Sequence, residues 1–123
     1  MYFGDFTDRE DVLRNFAIDK LNGVILFAGY DYEDYSGSAD VIFVEKGKLY
    51  HVEGSHCSCY GLENQWEPVE LPIEAIQHMC EKGYGPLNRY KDHVLGALRA
   101  IQDMGLDQCS PDNAAFALRL LYK

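Results

Sequence analysis

The spacing of apolar residues changes character twice along this chain, and the changes mark out its elements. Val12, Leu13, Phe16 and Ala17 recur at helical spacing. Thr7-Asp8-Arg9-Glu10 stands before them as a capping box, with the Thr7 hydroxyl and Glu10 carboxylate placed to satisfy free amides of a first turn. A short amphipathic helix is predicted near 8–18, closed by Asn22-Gly23. Val24 to Tyr30 reads as a buried strand, and the Asp-, Glu-, Tyr-, Ser- and Gly-rich stretch Asp31 to Ser38 as a loop. Ala39 to Glu45 is the next strand, Lys46-Gly47 a tight two-residue turn, and Lys48 to Glu53 the returning strand. In that last strand Leu49, His51 and Glu53 alternate with Tyr50 and Val52, so one face is buried. Residues 57–60 extend a fourth strand or form a structured loop.

The helical period returns after Pro72, which suits a first turn. Ile73, Ile76, Gln77 and Cys80 mark one face before Gly83. Tyr84-Gly85-Pro86 is a break. Asn88 to Met104 carries the strongest stripe, Tyr90, Val94, Leu95, Leu98 and Ile101, with Gly105 at its end. Ser110-Pro111 opens a last helix through Phe116, Leu120 and Leu121. Strands followed by helices argue an α+β fold. The expectation is one domain over 1–123: an antiparallel β-meander of three to four strands, with an N-terminal helix and C-terminal helices packed on one face.

Composition narrows the function classes. The 123 residues are 47% hydrophobic and 13% aromatic, which is globular sequence. The apolar run Val24-Ile25-Leu26-Phe27-Ala28 is far too short to span a membrane, and Met1-Tyr2-Phe3-Gly4-Asp5 lacks the basic and apolar regions of a signal peptide. A cytoplasmic location is therefore expected, and with it free thiols or metal-bound cysteines rather than disulfides. Cys57 and Cys59 make a poor disulfide pair in any case, because on extended backbone they sit about 6.5–7 Å apart. The net charge is −9, with ten acidic and three basic residues before position 46. Such a chain repels nucleic-acid phosphates and attracts basic partners.

The densest chemistry lies in Gly54-Ser55-His56-Cys57-Ser58-Cys59-Tyr60-Gly61-Leu62-Glu63-Asn64-Gln65-Trp66-Glu67-Pro68, which holds two of the four cysteines and the only tryptophan. This segment resembles the HCSCYGLExQWEP-type signature of a mostly uncharacterised family of small bacteriophage and prophage proteins. Ser36-Gly37-Ser38-Ala39-Asp40-Val41-Ile42-Phe43-Val44 and Gly47-Lys48-Leu49-Tyr50 extend the resemblance, which covers residues 24–68. It implies an origin in mobile genetic elements and brings no activity with it.

His51, His56, Cys57 and Cys59 form the candidate metal cluster, since thiolates and imidazoles suit zinc. Cys-x-Cys is not the usual knuckle spacing; His78 and Cys80 could complete a site if their helix folds back. The alternative is that the cysteines are small buried apolar groups. A thiol enzyme would need His51 or His93 brought to Cys57 as base, because His56 points to the other side of an extended chain. No phosphate loop or nucleophile elbow is present. Trp66 either anchors its loop on the sheet or marks an interface with Glu63 and Glu67. Tyr30, Tyr32 and Tyr35 interleave with Asp31, Glu33 and Asp34 near Asp40, as a solvated acidic loop or as a surface for a basic partner.

Small acidic phage proteins without catalytic motifs include anti-defence proteins, anti-CRISPR proteins among them, and some display carboxylates that mimic DNA phosphates. By that analogy the expected function is non-enzymatic: binding, and inhibiting, a host protein with a basic surface, without direct nucleic-acid or membrane contact and without a cofactor. The zinc-stabilised module and the thiol-dependent enzyme are the alternatives.

Overall fold

Alternating residues of three consecutive strands send their side chains to opposite faces, and each face acquires its own covering layer. The computed structural model describes residues 2–33, 36–57, 61–83 and 85–105. In chain order the elements are β1 (Tyr2–Gly4), α1 (Arg9–Phe16), β2 (Val24–Glu33), β3 (Ser36–Glu45), β4 (Lys48–His56), β5 (Val69–Glu70), α2 (Ile73–Lys82), α3 (Pro86–Arg89) and α4 (Lys91–Met104). The strands form one sheet in the order β1-β2-β3-β4-β5. β1 runs parallel to β2, and every other pairing is antiparallel.

Ile42 and Val44 of β3 join Leu49 of β4 on the face covered by α2, α3 and α4, where they meet Ile76, Cys80, Leu87, Val94, Leu98 and Ile101. Ala39, Val41 and Phe43 join Val52 on the opposite face, under Phe6, Val12, Phe16 and Leu62. A bulge between Ile25 and Phe27 inserts one residue into β2, so that Leu26 and Phe27 both feed the helix-side core while Ile25 and Ala28 feed the other. Full burial of a ring such as Phe16, 1% exposed, is worth roughly 1.5–3 kcal/mol.

The α+β class and the central meander are as expected, with the C-terminal helices on one face; α1, expected on that same face, covers the other, because Val41, Phe43 and Val52 make that face apolar as well. The remaining differences are local. The cap of α1 lies one residue later than the capping box suggested: Asp8 is the N-cap and accepts the Asp11 amide, while Asp11 reaches back to the amide and hydroxyl of Thr7. An aspartate outcompetes threonine here because its carboxylate also favours the positive end of the helix dipole. The helix stops at Phe16, well before Asn22-Gly23, since Ala17 adopts a left-handed conformation (φ 57°) that closes the last turn. Arg9 then donates to the carbonyls of Leu21 and Gly23, fastening the return to β2.

Within the stretch expected to be a loop, residues 31–33 and 36–38 are strand. β2 runs to Glu33 and β3 resumes at Ser36, because the order Tyr30-Asp31-Tyr32-Glu33 is itself a two-residue alternation that pairs with 36–39. β4 likewise continues three residues past Glu53, to His56. Lys46-Gly47 forms the expected tight turn, both residues at positive φ (52° and 75°), as a two-residue hairpin requires. The long helix expected from Asn88 is two, α3 and α4, separated at Tyr90 (φ −108°, ψ 28°). The final helix expected from Ser110 lies outside the described residues. Among the described residues, no helix is long and apolar enough to cross a membrane.

Candidate functional site

The ends of β1, β2 and β4 meet the start of β3 at one edge of the sheet, and there the acidic and aromatic residues gather. Register places Tyr32 opposite Gly37, and Gly37 in turn opposite His56. Tyr30, Tyr32 and His56 therefore share the α1 face, with Tyr30–Tyr32 ring centroids 6.2 Å apart and Tyr32–His56 5.3 Å apart. Gly37 makes this possible: a Cβ there would stand 2.4 Å from His56 Nε2 and 2.8 Å from Tyr30 Cε1. His56 Nδ1 donates to the Cys57 carbonyl at 2.9 Å, which leaves Nε2 to accept from the Tyr30 hydroxyl. Burial first, and then nearby Tyr32, Asp5 and Glu63, hold the Tyr30 hydroxyl above its ordinary value, so it stays a donor at neutral pH.

Carboxylates gather at the same end of the sheet, on both faces. Asp5 Oδ2 accepts the Tyr32 amide at 3.1 Å. Glu63 is fully exposed and held below the usual carboxylate range by its own backbone amide and that of Gly61. Asp31 points to the helix side and meets Arg89 at 3.3 Å. Its carboxyl nonetheless lies above the usual range, because burial outweighs Arg89 and is reinforced by Asp5, Asp40 and Glu33. Gly4, Asp5, Asp31, Tyr32, Glu33, Arg89 and Tyr90 line a shallow hollow of about 380 Å³. Tyr32, 50% exposed, is one of two large hydrophobic residues displayed to solvent among the described residues, the other being Val69.

The signature segment largely serves the fold. Leu62 is buried against the α1-side core. Gln65 Oε1 accepts the Ser55 amide at 2.9 Å and its Nε2 donates to the Gly61 carbonyl at 2.9 Å, tying the segment to β4. Trp66 stacks on Phe43 (5.6 Å, 12°) and meets Phe16 edge-on (5.1 Å, 69°). Of its two readings, the geometry gives Trp66 the anchoring one. Glu67 is exposed. Asp34, Tyr35 and Cys59 lie outside the described residues.

Two residues expected near these surfaces sit elsewhere. Asp40, expected on the acidic surface, is 5% exposed, and its Oδ1 accepts from His51 Nε2 at 2.8 Å on the helix side of the sheet. His51 and His56 stand an odd number of residues apart on β4, so they face opposite ways, and the grouping of His51 with His56 and Cys57 does not form. α2 does fold back over the sheet, but it brings His78, not Cys80, toward Asp40 and Glu53. Cys80 lies in the core, its thiol pushed up to about 11 mainly by burial, then by Asp40 and Glu81. Cys57 is exposed, with both nitrogens of the adjacent His56 already engaged. His93, the other candidate base, packs its ring against Phe3 at 4.8 Å.

Asp5 and Arg89 were not among the sequence candidates. No local pattern could reveal them, since the parallel β1 and the α3 segment deliver them from opposite ends of the chain. The chain matches no family model, no curated protein and no solved structure.

Proposed function

We propose that the protein is a non-enzymatic binding protein of phage or prophage type, which engages a basic host protein in the host cytoplasm through the acidic, aromatic end of its sheet. The observation that carries this reading is Tyr32: a half-exposed ring at a sheet end where Asp5 accepts its amide, Asp31 and Glu33 line the same hollow, and Glu63 acts on the neighbouring Tyr30 and His56. A lysine or arginine of the partner would lay its cation against Tyr32 while the carboxylates accept its N–H groups, each such contact worth about 0.5–2 kcal/mol. An acidic end of this kind resembles a run of phosphates, so a nucleic-acid-binding host protein, anti-CRISPR targets included, is the class of partner whose activity it would inhibit by occupation.

The test is capture of a partner from host lysate on the full chain, followed by association kinetics at increasing salt. The parent should bind faster at low salt, and duplex DNA should compete. The variant Tyr32→Ala/Glu33→Gln/Glu63→Gln should associate about tenfold more slowly with a flatter salt dependence. An association rate that this variant leaves unchanged would overturn the proposal.

A further inference from the structure

The buried Asp40–His51 pair has no part in the acidic end, and its surroundings give it a different chemistry. We propose that Asp40, His51 and Glu53 form a binding site for a divalent first-row transition metal, completed by His78 from α2.

Asp40 and Glu53 are direct partners in the β3–β4 register, and His51 lies diagonally across from Asp40 on the same face. One ligand atom from each of the three lies within 4.8 Å of the other two. Two carboxylates placed directly opposite on a sheet repel each other. Here one of them is buried, and none of the ion pairs among the described residues includes Glu53. A cation between them turns that repulsion into attraction.

The proton balance is simple. His51 Nε2 carries the proton it donates to Asp40 Oδ1 at 2.8 Å. On binding, that proton leaves for solvent while Nδ1 takes one up, so the ring stays a neutral imidazole and turns the Nε2 lone pair to the ion. Asp40 Oδ2 keeps the Leu87 amide (3.4 Å), a backbone contact of the sort that orients a ligating carboxylate. A cavity of about 300 Å³ lies over the group, lined by Asp40, Glu53 and His78, so an ion has both entry and room for bound water. Lys82 lines the same cavity and opposes a cation, though as an exposed ammonium it is screened by solvent.

The donor set selects the metal. Two carboxylates with one or two imidazoles suit Zn²⁺, Mn²⁺ or Fe²⁺, whereas Mg²⁺ and Ca²⁺ prefer oxygen alone. This set shares His51, and His78 as the completing ligand, with the cysteine-centred cluster suggested by sequence; Glu53 on one side and the cysteines on the other separate the two by experiment.

The experiment is calorimetric titration of Zn²⁺ into the chelator-treated full chain. It is run on the parent, on Glu53→Gln, on His78→Ala and on Cys57→Ser/Cys59→Ser. The expected result is one equivalent bound by the parent and by the cysteine variant alike, with Mg²⁺ at equal concentration failing to compete. Glu53→Gln, an exposed position that leaves the core intact, should weaken binding by more than about tenfold, since even outer-shell partners of metals are worth about 10–100-fold. His78→Ala should weaken it less. Zn²⁺ should raise the melting temperature of the parent and leave that of Glu53→Gln unmoved, and the Co²⁺ derivative should show no thiolate charge transfer. Absence of one-to-one binding, parental affinity in Glu53→Gln, or loss of binding with the two cysteines would overturn the proposal.

Discussion

His51 and His56 belong to the same strand, yet the sheet gives them opposite surroundings. His51 faces the helices, 6% exposed, with its polarity met by one buried carboxylate. His56 faces the α1 side at the open end of the sheet, where a tyrosine hydroxyl and a backbone carbonyl occupy its two nitrogens. The first arrangement is costly to disturb, because a carboxylate only 5% exposed depends on the donor that His51 supplies. The second sits beside solvent and tolerates change. The same residue type therefore belongs to the interior on one side and to the acidic, aromatic sheet end on the other, and strand parity decides which.

The largest expected effect tests the interior half of this contrast. His51→Leu should destabilise the protein by about 3 kcal/mol in urea unfolding, by stranding a buried Asp40 acceptor beside Glu53. Adding Asp40→Leu should recover much of that loss, since replacing both partners removes the unmet group. A double variant as unstable as the sum of the singles would mean that the pair is not the source of the cost. Next is Gly37→Ala, which forces a methyl against His56 and Tyr30 and should cost about 1–3 kcal/mol. It should also slow partner association, because it displaces the rings that support Tyr32. Tyr30→Phe removes only a hydroxyl at the solvent-facing end and should cost about 1 kcal/mol. If it matched His51→Leu, the two histidines would be energetically alike and the contrast would fail.

The smallest effect concerns Asp31. Its carboxyl is raised in the folded state, chiefly by burial. Protonated Asp31 thus favours folding below the ordinary aspartate range, and that contribution is lost as pH rises through the folded value. At neutral pH the ionised side chain is a slight liability despite Arg89, so Asp31→Asn should raise the melting temperature a little. The gap should close as pH falls through the raised folded value and into the ordinary aspartate range. A lower melting temperature for the variant at neutral pH would show that the Arg89 pair outweighs burial.

Much of the sheet was legible because its residues repeat. The alternation of 49–53 and the Lys46-Gly47 turn specify a hairpin whatever lies around them. β1 and β5 were not, since strands of three and two residues carry no period. Residues 31–33 and 36–38 read as loop because of their acidity and small polar residues, although the acids alternate faithfully with tyrosines in 30–33 and pair with 36–39. Of the site, Tyr32, Glu33 and Glu63 were visible as displayed residues. The burial of Asp40 was not, because its partner is a diagonal neighbour on another strand and no spacing within one strand encodes that. Trp66 was readable in two ways, and only the position of Phe43 and Phe16 decides between them.

The two short outer strands have one more consequence, which concerns self-association. Three long apolar ribbons side by side would be a template for endless addition of further chains if either rim lay bare. β1 and β5 each cover only part of a rim, and beyond each a side chain continues the pairing: Asp5 takes the Tyr32 amide on one side, and Gln65 takes the Ser55 amide on the other. A carboxylate or carboxamide offers no second strand to extend. The sheet thus ends chemically as well as geometrically, and the same Asp5 that adds charge to this end also occupies the Tyr32 amide that a further strand would need.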